Sequence, residues 1–395
     1  MLRRASILIA AFQWSSIVAA AFAEDPASVI PVDGPRFTAR LMSLDDSGQL
    51  TFDSSGSGKT ISLENLVRWG SPSESRRGSQ LVMSHGAVVV VDDLRLENNQ
   101  IFFESRLLGT ASLPVEQLHG IIMRPPAAAQ PRDALAWRIT TTTGDDDRLL
   151  LINGDELTGT ITALDSARIT IDANVGTIDV ATNRVAAVLL NSTFFEPHTT
   201  PAAGTWVGLS DGSRLLVDRV ERAAETLTLT FSGGVSWQAP AGAIVWLQPI
   251  GTRVVYLSDL EAAGYRHISL LDLPWEYHRD RNVLGTALRS GTQRFQKGLG
   301  MHSACRLTYR LDEPFSRFEA DLALDDVAGP LGSVVYRVYV GTKQRLVSGI
   351  IRAGDAPVPV SVDVRGGSSL SLLIEFGERG DVRDYANWLD ARLVR

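Results

Sequence analysis

A single cysteine, Cys305, serves the whole chain of 395 residues. It can form no intrachain disulfide and cannot alone supply a thiolate metal cage, so stability has to come from core packing. Blocks of Lys or Arg are equally lacking. With 38 Lys and Arg against 45 Asp and Glu, a formal charge of −7, the chain has no basic footprint for a phosphate backbone, which argues against nucleic acid as a partner. Catalytic signatures are missing too: no H-E-x-x-H, Walker or nucleophile-elbow motif occurs. Asp325 and Asp326 are adjacent, and on a strand they would point to opposite faces instead of flanking a sugar as a glycosidase pair must. The run Asp145-Asp146-Asp147 reads as a solvated turn. Cys305 reads as a small buried residue, not a nucleophile. The chain is therefore expected to be non-catalytic and to need no cofactor.

Apart from the first segment, no apolar stretch approaches membrane length. Arg3 and Arg4 precede an apolar stretch at 5–23, which is interrupted at 13–16 and ends Ala21-Phe22-Ala23 before Glu24 and Asp25. This is the pattern of a secretory signal peptide over residues 1–23 with a small-x-small cleavage site. The alternative is an uncleaved anchor, but the polar interruption leaves the apolar part short for a span. The mature chain is expected to be exported, to the periplasm, the cell surface or the medium, with no transmembrane anchor after cleavage.

What is present divides the chain near residue 250. All seven tyrosines lie beyond it, and the formal charge is −8 before it and +1 after it. Before residue 250, four segments share one outline. Each opens with an apolar run and a glycine turn, at Gly34, Gly86, Gly154 and Gly212, and each closes on an apolar residue 35 positions later, at Trp69, Ile121, Leu189 and Leu247. Short runs with period-two alternation lie between, as in Ile169 and Ile171, and that period specifies strands. The expected domains are β-repeats at 24–70, 79–124, 147–190 and 204–250. Each is a small barrel or meander too short to bury a good core alone. Segments 71–80, 124–132 and 197–204 are polar or Pro/Ala-rich and read as linkers. The outline resembles, generically, the small barrels of the Sm-like and SH3-like class. Such barrels leave room for protein partners, but function does not follow from the fold.

Residues 251–395 carry a more specific pattern. It opens Val255-Tyr256-Leu257-Ser258-Asp259-Leu260, continues through Trp275 to the run Lys297-Gly298-Leu299-Gly300-Met301-His302-Ser303, and closes Asp384-Tyr385-Ala386-Asn387-Trp388-Leu389-Asp390. In this the region resembles the NPCBM family of carbohydrate-binding modules, which are attached to secreted glycoside hydrolases. Asn387, Leu389 and Leu324 depart from that family's usual residues. The resemblance implies a galactose-binding-domain-like jelly roll and a glycan ligand, with galactose-type sugars first. Independently, alternation at Val334, Tyr336 and Val338, and at Leu370, Leu372 and Ile374, predicts an antiparallel sandwich whose ligands bind on end loops, because its faces are occupied by core. The fold class is thus all-β throughout.

Sugar binding needs a flat aromatic against a pyranose face and a few fixed polar groups. Trp275, Tyr277 and His278 supply both in one stretch, and Lys297 and His302 flank a glycine-rich segment read as a sharp bend. These five are the candidate carbohydrate-binding residues, while Trp388 is read as core. Asp280 and Asp390 are candidates for a structural calcium ion, since Ca²⁺ takes oxygen ligands from loop carboxylates. The resulting expectation is an exported, non-catalytic carbohydrate-binding protein. The alternatives are a structural or adhesive scaffold and an accessory subunit of a separate glycoside hydrolase.

Overall fold

The computed structural model describes residues 25–74, 77–83, 86–194, 203–269 and 274–395. The signal segment 1–23, the second repeat's turn at 84–85 and most of 197–204 lie outside the described residues.

Four β units occupy Ala27–Ile250, and in each the opening strand folds back to pair with the closing one. Ala27–Pro31 pairs with Leu66–Gly70, Ser79–Met83 with Leu118–Ile122, Asp147–Leu151 with Val185–Leu189, and Gly204–Leu209 with Ile244–Ile250. Trp69, Ile121, Leu189 and Leu247, the residues at the 35-position mark, all lie on those closing strands and are buried. The glycines at the mark, Gly34, Gly86, Gly154 and Gly212, all take positive φ, which costs a residue without Cβ little.

The units join edge to edge out of chain order. Leu66–Gly70 of the first pairs with Ile244–Ile250 of the fourth, and Arg214–Val217 of the fourth meets Val88–Val91 of the second. Leu118–Ile122 of the second pairs with Val185–Leu189 of the third. The spatial order is first, fourth, second, third, and the 22 strands form one hydrogen-bonded system. Strand edges left open would be aggregation sites, and here units cover each other's edges.

One segment departs from the expected linkers. Residues 124–132 do not form a free spacer, because Ala129–Thr141 is an α-helix in which Arg132, Asp133 and Ile139 are buried. Pro131 is tolerated because it lies in the first turn, and Ile139 packs with Val82, Ile122, Leu150, Ala187 and Leu189.

Residues 254–394 form two packed antiparallel sheets. One has the strands His278–Arg279, Gly298–Met301, Ala386–Val394, Arg317–Leu324 and Val358–Asp363 in that order, with Val254–Tyr256 also on Ala386–Val394. The other has Gly264–His267, Cys305–Arg310, Ser369–Phe376, Ser333–Val340 and Lys343–Val347. Phe318, Leu322, Tyr336, Val338, Leu372 and Trp388 fill the space between them. Trp388 is fully buried, with the Tyr336 ring edge-on at 4.9 Å. Gly298 and Gly300 do not make a bend; they sit within a strand. A Cβ on Gly300 would lie 2.4 Å from the Arg281 carbonyl, and one on Gly298 2.6 Å from the Trp388 carbonyl, so glycine is needed for close backbone approach.

The sandwich is also locked to the β units. Val254, Tyr256 and Val394 belong to the units' apolar core. Tyr256 Oη donates to the Val67 carbonyl at 3.3 Å and accepts from Gln248. Arg36 pairs with Asp321 at 2.5 Å, and Arg289 Nε with Asp133 of the helix at 2.8 Å. The Arg281 guanidinium lies 3.9 Å over the Trp137 ring.

Candidate functional site

His302 occupies the crossing from one sheet to the other. It follows the strand Gly298–Met301, and the chain then turns through Ala304, at φ 57°, into Cys305–Arg310 of the opposite sheet. Tyr385 enters the same end of the sandwich, because Ala386 pairs with Met301. His267 arrives from the other sheet, opposite Cys305.

Onto this corner the chain lays Trp275. Its ring stacks on His302 with centroids 4.5 Å apart and planes 1° from parallel. Tyr385 flanks both rings at 6.0 Å, and His267 stands edge-on to His302 at 5.9 Å. Both backbone polar groups of the tryptophan are held: its N–H donates to His267 Nδ1 at 3.2 Å, and its carbonyl accepts from Tyr265 Oη at 2.6 Å. Trp275, Tyr385 and His267 remain half-buried, so the aromatic cluster reaches solvent. His302 is buried, and its Nδ1 has no hydrogen-bond partner among the described residues. Burial, with a smaller contribution from His267, pushes the His302 pKa down to about 4, so the imidazole is neutral at ordinary pH. Burial also raises Asp384, beside Tyr385, to about 6.

Of the five candidate sugar ligands, Trp275 and His302 come together and the other three do not join them. Tyr277 packs on Tyr265 at 5.1 Å and accepts a long hydrogen bond from Arg279. His278 lies on the strand paired with Gly300 and faces Trp137 of the helix at 6.4 Å, an interface with the β units. Lys297 is buried, and its Nζ donates to Asp259 at 2.5 Å and to Asp280 at 2.8 Å. Burial alone would lower this ammonium, but the two carboxylates raise it above its ordinary value. It is a structural cation, not a free sugar contact.

The calcium candidates are not joined into one ion site. Asp280 is taken by Lys297, whereas Asp390 accepts from Arg68 Nε at 3.0 Å and from Gln248 at 2.9 Å. Each carboxylate already has a protein cation as partner, and no group of three His, Cys, Asp or Glu side chains suited to a metal occurs among the described residues. Cys305 is buried, and burial lifts its thiol to about 12, far from a reactive thiolate. Asp325 is buried as the cap of the turn at Asp326–Leu331, accepting from the backbone of Arg289 and from Asn387, and burial raises it to about 6.

Tyr385 and His267 were not singled out in the sequence. Tyr385 stood in a family signature, but nothing local announced that it would meet Trp275 from 110 positions away.

Residues 253–394 match the NPCBM/NEW2 domain, in agreement with the family resemblance carried by the run from Lys297 to Ser303. Over 110 residues the chain is 24% identical to a Renibacterium salmoninarum protein named as an endo-alpha-N-acetylgalactosaminidase; the match covers 28% of this chain and 7% of that protein. Among solved structures, the CBM51 module of a Clostridium perfringens GH95 protein in complex with methyl-galactose is 23% identical. It aligns over 36% of this chain and 99% of its own, with a TM-score of 0.33. Tandem CBM51 modules of a Streptococcus pneumoniae family 98 glycoside hydrolase are 13% identical, over 80% of this chain and 87% of theirs, with a TM-score of 0.32. No described helix is long and apolar enough to cross a membrane.

Proposed function

We propose, from the NPCBM/NEW2 domain at 253–394, that the protein is an exported, non-catalytic glycan-binding protein whose sugar site is the aromatic corner of the sandwich. The observation that carries this reading is the stacking of Trp275 on His302. An indole held flat by a buried neutral imidazole beneath it, and fixed through both backbone polar groups, is a preorganised platform for the apolar face of a pyranose. His302 acts as a positioning residue. Tyr385 and His267 stand close enough to supply hydrogen bonds to hydroxyls. Galactose-type sugars are the first class to test, as the family resemblance implies.

The test is a glycan array with the full chain, followed by calorimetry on any positive sugar. Trp275→Ala is expected to abolish binding, and His302→Ala to weaken it at least tenfold. If both variants bind as tightly as wild type, the assignment of the site fails.

The buried ion pairs between sandwich and β units favour a role for the units as a rigid mount for the module, which is the part of the scaffold alternative we retain.

A further inference from the structure

Where the fourth β unit, the helix and the sandwich meet, four guanidinium groups surround two carboxylates. Arg132 donates to Glu74 at 2.5 Å, Arg289 donates to Glu74 and to Asp133, and Arg294 reaches Asp133 at 3.2 Å. The three arginines and two carboxylates leave one positive charge over. Arg214 adds a second, and its situation is different. It opens the strand Arg214–Val217, is 8% exposed, and forms no ion pair among the described residues. Its Nε and the Nε of Arg294 are both buried without a hydrogen-bond partner.

Arg132, Arg214 and Arg294 line a cavity of about 20 Å³ together with the carboxylates Glu74 and Asp133; Arg289 stands outside its lining. Buried charges are ordinarily paired, because a guanidinium removed from water without a counter-charge is strongly disfavoured. Burial, aided by the neighbouring arginines and opposed by Asp133 and Glu74, lowers the proton affinity of both Arg214 and Arg294, but a guanidinium stays protonated at ordinary pH, so the excess charge is real.

We propose that this cavity is an anion site, with the Nε–H groups of Arg214 and Arg294 as its donors and a monatomic anion of chloride size as its ligand. Size sets the class. The cavity holds about one water-sized body, too little for phosphate, sulfate or a carboxylate. The bound anion would bridge the fourth unit, through Arg214, to the sandwich, through Arg294. The inference is independent of the glycan site.

The full chain should be melted in sodium chloride, bromide, phosphate and isethionate at equal ionic strength. Chloride and bromide are expected to raise the melting temperature above that in isethionate in a saturable manner, as for one site filled only in the folded state. Arg214→Gln should erase that difference, and Arg106→Gln, at an exposed position, should retain it. Chloride-35 NMR on the wild type should show line broadening that bromide competes away; this readout stands even if Arg214→Gln does not fold. Equal melting in chloride and isethionate, a chloride response surviving in Arg214→Gln, absence of line broadening, or stabilisation by phosphate alone would each overturn the proposal.

Discussion

At the scale of single residues, burial decides which candidate groups are chemically available. His302 titrates near 4 in the folded chain against an ordinary 6.5. Between those values the unfolded chain binds more protons, so this residue makes the protein less stable as pH falls from about 6.5 to about 4. Asp325 and Asp384, both raised to about 6, act in the opposite sense, because the folded chain holds their protons more tightly from about 6 downward. The two effects are separable by comparison. The melting temperature of His302→Gln relative to wild type should shift in the variant's favour as pH falls through that window and stay constant above it. For Cys305, with its thiol near 12, we expect no reaction with thiol reagents in the folded protein and full reaction once it is denatured. Because Lys297 and Arg68 already hold Asp280 and Asp390, calcium and a chelator should leave the melting temperature unchanged, as calorimetry would report.

At the scale of elements, strands were readable and the helix was not. Four glycine turns, each followed 35 positions later by an apolar residue, located the closing strands of the β units, because the turn and the buried partner of each unit are local in sequence. The helix Ala129–Thr141 gave the opposite signal: it begins in a Pro/Ala stretch, and Leu135, Trp137 and Ile139 alternate with the period of a strand. Its sides are bound by different partners, Ile139 by the β units and Trp137 by Arg281, so no single apolar stripe marks it. The site was half legible for a related reason. Trp275 and His302 advertise themselves by residue type, but their convergence with Tyr385 and His267 depends on how two sheets are joined at one corner. Lys297 and His278 look like ligands in sequence, but Lys297 is claimed by Asp259 and Asp280 of the same module and His278 by Trp137 far along the chain. The strand Gly298–Met301 offers a direct check: Gly300→Ala forces a Cβ to within 2.4 Å of the Arg281 carbonyl. It should cost about 1–3 kcal/mol by overpacking, measurable by denaturant unfolding.

At the scale of the molecule, the division near residue 250 in tyrosine content and charge is not a mechanical division. Cutting there would strand Asp390 without Arg68, leave Arg289 and Arg294 without Asp133, and expose Tyr256 and Val394. A fragment of residues 251–395 is therefore expected to melt well below the intact chain. Asp133→Ala in the intact chain, by leaving Arg294 without its carboxylate partner and Arg289 with Glu74 alone, should cost about 3–5 kcal/mol. The spatial order first, fourth, second, third has a consequence in time. A chain emerging from its N-terminus offers the first unit's closing strand and the second unit's Val88–Val91 while the strands that will cover them, Ile244–Ile250 and Arg214–Val217, do not yet exist. The fourth unit is thus a keystone laid last. Until it arrives, two bare edges wait on either side of its place, open to pairing with another copy.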